Sequence, residues 1–77
     1  WNVSGRYGVD LVLEQGRRAV AVEVKWGSRW NDRDLAGLKA WQETTPGGGL
    51  AFLACSCREA TRLGKGLWAV PLGDLLR

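Results

Sequence analysis

Residues 9–26 read VDLVLEQGRRAVAVEVKW, and the way this stretch folds decides everything around it. Val9–Glu14 mixes apolar and acidic residues with the period of a strand that has one wet face. Gln15-Gly16-Arg17-Arg18 is polar and holds a glycine, so it predicts a turn. Ala19–Trp26 alternates again, with Val20, Val22, Val24 and Trp26 on one side and Ala19, Ala21, Glu23 and Lys25 on the other. β-branched enrichment favours strand for both segments, and together they predict a β-hairpin. With Gly16 and Arg17 as the central turn residues, a position suited to a type II′ turn, Gln15 faces Arg18. In that register Asp10 faces Glu23, their Cβ atoms about 4.5–5.5 Å apart. Lys25 lies two residues further along the same face. A bulged three-residue turn would shift the pairing by one.

Two carboxylates and an amine on one surface form a recognisable chemical constellation. The acids repel each other, so the bare arrangement is destabilising unless something neutralises it. Lys25 can offset part of the charge; a divalent cation can offset more. Mg²⁺ (or Mn²⁺) prefers oxygen ligands and needs only one or two carboxylates from a protein. Asp10, Glu23 and the backbone carbonyl of Val24 are the candidate ligands. A metal so held polarises a phosphate oxygen and acidifies a bound water, and Lys25 can orient or deprotonate that water. Asp10, Glu23 and Lys25 are thus the candidate catalytic set. The plainer alternative is a solvated strand face carrying charges that do nothing.

After Gly27-Ser28 the pattern changes. Asn31 or Asp32 can cap a helix, and Asp32 and Asp34 suit its first turn. Leu35, Leu38 and Trp41 recur at helical spacing, predicting a helix over about 32–43 that Thr44-Thr45-Pro46-Gly47-Gly48-Gly49 cannot continue. Leu50–Ser56 is a near-continuous apolar run, expected of a strand buried on both faces and parallel to the one before the helix. Residues 57–66 are polar and basic and read as a loop or one helical turn. Leu67–Val70 predicts a last strand closed by Pro71, and residues 73–77 the start of another helix.

Composition bounds the function classes. The chain has 77 residues and a formal charge of +3, mild enough to fit a phosphate-bearing partner without requiring one. It contains no His, which excludes Ser-His-Asp and Cys-His mechanisms within it. Cys55 and Cys57 are the two cysteines; they share a face of a strand, read as reduced thiols, and offer no zinc-ligand spacing. No stretch has the length of a membrane span or the pattern of a signal peptide, so the expected location is the cytoplasm. The start at Trp1, with no initiator Met, reads as a piece cut from a longer polypeptide. Trp1 and Trp30 either stack on an unpaired base or complete a small core or an interface.

The ordered set VDLVLEQGRRAVAVEVK, a helix containing DLAGLKAW, an apolar strand and a closing GLWAVPLGDLL resembles a nuclease-like domain of unknown function. That domain is found C-terminal to bacterial and archaeal AAA-type ATPases, and the similarity covers nearly the whole chain. It implies an α/β fold with the PD-(D/E)XK, restriction-endonuclease-like core. The expected mixed sheet has about four strands, made of the hairpin, a helix crossover and two strands. The N-terminal helix of that fold would precede Trp1. Residues matching Asp10 and Glu23 hold the metal in such nucleases, and the one matching Lys25 assists the attacking water. Gln42 or Lys39, on the following helix, are candidate nucleic-acid contacts, and Arg58 is a third. Val9 departs from the family, which commonly has an acid there, and Gly64-Lys65-Gly66 is no phosphate-binding loop of the G-x-x-x-x-G-K-[ST] kind. Two functions follow: metal-dependent phosphodiester hydrolysis on DNA or another nucleic acid, or a catalytically silent docking or DNA-contacting module. Expected partners are nucleic acid, the ATPase module of the same full-length chain and a second copy as a homodimer.

Overall fold

The hairpin that opens the fold is part of a mixed sheet crossed by one long helix. A computed structural model describes residues 2–6, 9–27 and 29–75, and the side chains of 9–27 and 29–73. In chain order the elements are β1 (Asn2–Arg6), β2 (Val9–Gln15), β3 (Arg18–Val24), α1 (Asp32–Thr44), β4 (Leu50–Cys55), β5 (Thr61–Gly64), β6 (Leu67–Pro71) and α2 (Leu72–Leu75). The sheet order is β1-β2-β3-β4-β6-β5. β2 pairs antiparallel with β3, Gln15 facing Arg18 and Leu11 facing Val22, the register set by a turn at Gly16. Gly16 has φ +59°, a conformation glycine enters without a Cβ penalty. α1 then crosses over, and β4 runs parallel to β3 as the apolar run LAFLAC requires.

Asn31 starts α1. Its Oδ1 accepts the Asp34 N–H at 3.2 Å while Asp34 Oδ2 accepts the Asn31 N–H at 2.9 Å, a reciprocal capping box. Leu35, Leu38 and Trp41 of α1 are buried against Val12, Ala21, Ala51, Leu53 and Leu67 of the sheet. The face of β3 that packs under the helix is therefore the one bearing Ala19, Ala21 and Glu23. The valines of the opposite face stay only half-buried. Small residues are what a helix lying close on a sheet can accommodate.

The sheet is wider than expected, with six strands rather than about four. β1 is polar and has no period that marks it, and it pairs antiparallel with β2. β5 lies in the stretch read as a loop or helical turn. Its charge hides a hairpin with β6 across Lys65-Gly66, in which Thr61 faces Ala69 and Arg62 faces Trp68. β3 ends at Val24, so Trp26 does not continue the apolar side; it sits past the strand, 81 % exposed. The last helix begins at Leu72, and Leu76 and Arg77 of the expected one lie outside the described residues, as does Trp1. Trp30 is half-buried against the core. Among the described residues no helix is long and apolar enough to cross a membrane.

Candidate functional site

Asp10 and Glu23 meet where the β2–β3 ladder gives out. Its last backbone pair is Leu11 with Val22, one step short of the two acids. There the Asp10 side chain takes over from the backbone, its Oδ2 accepting the Val24 N–H at 2.9 Å. A backbone donor of this kind holds a carboxylate in place. Glu23 hydrogen-bonds to Asp10, and its pKa is pushed up to about 7. Burial at the helix-facing side of the sheet is the largest cause, followed by the hydrogen bond and charge of Asp10 and the charge of Asp34, with Lys25 pulling the other way. Glu23 therefore keeps its proton to near neutrality beside the Asp10 side chain.

Lys25 follows the strand. Its amide donates to the Ala54 carbonyl of β4 at 2.7 Å, which fixes the chain as it leaves the sheet. Its Nζ lies 3.2 Å from Asp34 Oδ1, so the amine is drawn to the first turn of α1 rather than bridging Asp10 and Glu23. Asp34 is held below the usual carboxylate range, first by the Asn31 amide and then by Lys25. Asp34 is the residue that spacing did not reveal as part of the site. In the sequence it is a first-turn acid, and only the docking of α1 brings it near Glu23.

The cluster occupies the carboxyl-terminal edge of the parallel strands β3 and β4, where open α/β sheets place their ligands. Two carboxyl groups side by side could hold a Mg²⁺- or Mn²⁺-type ion, which keeps most of its waters, once Glu23 has given up its proton. Among the described residues no three or more His, Cys, Asp or Glu side chains form a metal cage. Asp34 is turned toward Lys25 and Asn31 instead.

The remaining candidates lie apart from this cluster. Gln42 Nε2 donates to the carbonyls of Gly49, Lys65 and Gly66 at 3.2, 3.1 and 3.1 Å, tying two loops to the far end of α1. Lys39 lines the same end. Arg58 is exposed on the connection between β4 and β5. Cys55 and Cys57 are free thiols with their sulfurs 2.9 Å apart, and burial pushes Cys55 up to about 11, which leaves it a poor nucleophile and metal ligand.

A family model described as a domain of unknown function, DUF4143, matches residues 1–75. No curated protein and no solved structure matches the chain.

Proposed function

The chain belongs to the DUF4143 family, and from that premise we propose that it is a metal-dependent phosphodiesterase-type domain acting on nucleic acid, with a PD-(D/E)XK-like core and an AAA-type ATPase as its neighbour in the full-length chain. One observation carries the reading: Asp10 and Glu23 bring their carboxyls together at the strand edge, where burial first and Asp10 second push the Glu23 pKa up to about 7. A divalent cation bound there would supply Lewis-acid polarisation of a phosphate oxygen and a more acidic water. Asp10, pinned by the Val24 amide, and Glu23, on losing its proton, are the side chains that would hold it, with the Val24 carbonyl as a further oxygen. Lys25 is the only amine beside the pair among the described residues, and released from Asp34 it is available to orient a water or to meet developing charge.

The Lys25–Asp34 ion pair favours a second reading, in which the domain keeps the fold and contacts DNA or its ATPase without catalysis. Titration of Mg²⁺ or Mn²⁺ by calorimetry, with cleavage of single- and double-stranded DNA in parallel, separates the two. The enzyme reading expects metal binding and metal-dependent cutting that Asp10→Ala reduces at least 100-fold, a typical loss for a positioned catalytic group. Equal inertness of the wild type and Asp10→Ala in both assays would leave only the silent module.

A further inference from the structure

The end of the molecule opposite the carboxylates carries a groove of about 1260 Å³. Three loops build it: the β2–β3 turn, the connection from α1 to β4, and the β5–β6 turn. Arg17, Arg18, Lys39 and Lys65 line it, against a single acid, Glu43. All four cations are exposed, and among the described residues none makes an ion pair. A cluster of like charges left unneutralised in a concave site raises the local concentration of anions.

The rest of the groove suits a phosphate chain. Part of its wall is bare backbone at Gly47 and Gly48, where even a Cβ would meet nothing within 4 Å, so a ligand can approach the main chain. The groove is also preformed, because Gln42 clamps the glycine loop and the β5–β6 turn to α1 through three hydrogen bonds. The negative end of the α1 dipole points this way, but two carbonyls of its last turn are already occupied. Trp41 O accepts from the hydroxyls of Thr44 and Thr45, and Gln42 O accepts the Thr45 N–H.

We propose that this groove is a binding site for the phosphodiester backbone of nucleic acid, separate from the carboxylate pair. Glu23 and Arg18 lie on one strand five residues apart, which at about 3.3 Å per residue sets the two ends roughly 17 Å from each other. At about 3.4 Å per nucleotide, a strand of roughly five nucleotides spans from groove to carboxylates. The proposal takes its ligand class from the nucleic-acid reading above, yet its test needs neither metal nor cleavage.

The whole chain is titrated with 20-nucleotide single- and double-stranded DNA in EDTA, following amide NMR shifts and, by fluorescence anisotropy, the affinity as a function of salt. Shifts concentrated at residues 16–18, 47–49 and 65–66 are expected. Four phosphate contacts predict that raising salt from 50 to 200 mM weakens binding about 50-fold for single strands and about 150-fold for duplex. In Arg18→Gln/Lys65→Gln, two surface changes, the same salt step weakens binding only about 7-fold and about 12-fold; Lys39→Glu is a second variant, on the helix surface. Which strand form binds tighter identifies the source of the phosphates. Shifts spread evenly over all cationic residues, an unchanged salt dependence in both variants, or equal shifts with a poly-glutamate peptide of the same charge would each overturn the groove. DNA binding by the wild type that brings no cleavage when Mg²⁺ or Mn²⁺ is added sinks the nuclease reading alone.

Discussion

Glu23 is the residue on which the chemistry of the molecule turns. Its carboxyl is partly desolvated beside Asp10 and Asp34, so its folded-state pKa of about 7 lies above the ordinary value of 4.5. Between those two values the folded chain keeps a proton that the unfolded chain has lost, so stability falls as pH rises through that interval and levels off above it. Urea unfolding of the metal-free protein at pH 5 and pH 8 should show the higher midpoint at pH 5. Glu23→Gln, which cannot ionise, should bring the two midpoints together. A wild type equally stable at both pH values would mean that Glu23 does not keep its proton in the folded chain. The facing of Asp10 and Glu23 was legible beforehand, because the two-residue turn at Gly16 fixes the pairing. The partnership of Lys25 with Asp34 was not, because it joins a strand end to a helix whose docking no local pattern encodes.

At the scale of elements, α1 is fixed at both ends by side chains that reach backbone groups. Asn31 and Asp34 close its start, and Gln42 ties its last turns to the loops beneath. Gly49 completes this lower joint. A Cβ there would come within 2.5 Å of the Trp41 ring, at a φ of +61°. Gly16 has nearly the same conformation, φ +59°, in open space. Gly16→Ala should therefore cost only the left-handed penalty of about 1–2 kcal/mol. Gly49→Ala adds overpacking of about 1–3 kcal/mol to that penalty. Thermal melts of the two variants check the difference, and equal losses would show that Trp41 moves aside freely. The sequence marked Pro46–Gly49 as a helix stop for the right reason, proline and glycine chemistry. That Gly49 lies against Trp41 was not visible, since the contact depends on the loop folding back under its own helix.

For the whole molecule, α1 is the one long helix among the described residues and covers its side of the sheet. At about 0.05–0.15 kcal/mol per residue, a chain of this size has on the order of 4–12 kcal/mol of stability. Leu38 is fully buried between α1 and the sheet. Leu38→Ala should remove about 2–5 kcal/mol, a large share of that total. Leu50, 48 % exposed, should lose less than about 1 kcal/mol on the same substitution. Denaturant titrations with unchanged slopes test both; comparable losses at the two sites would place the core elsewhere. The ends of the sheet differ in character as well, with the carboxylate cluster at one edge and the four-cation groove at the other.

The sequence by itself determined the hairpin and its register, the helix with its start and stop, and the buried parallel strand, because each rests on local periodicity, turn geometry and capping. It left β1 and β5 unseen. Both are short and polar, and they become strands only through the partners that take up their backbone hydrogen bonds. Only the tertiary structure decided which face of β3 lies under α1. Of its two apolar faces, valines on one and alanines on the other, the helix packs on the alanines, and in doing so it carries Asp34 to Glu23 and Lys25. Packing chooses between two apolar faces by the space each leaves for a neighbour, and a pattern of hydrophobicity holds no measure of that space.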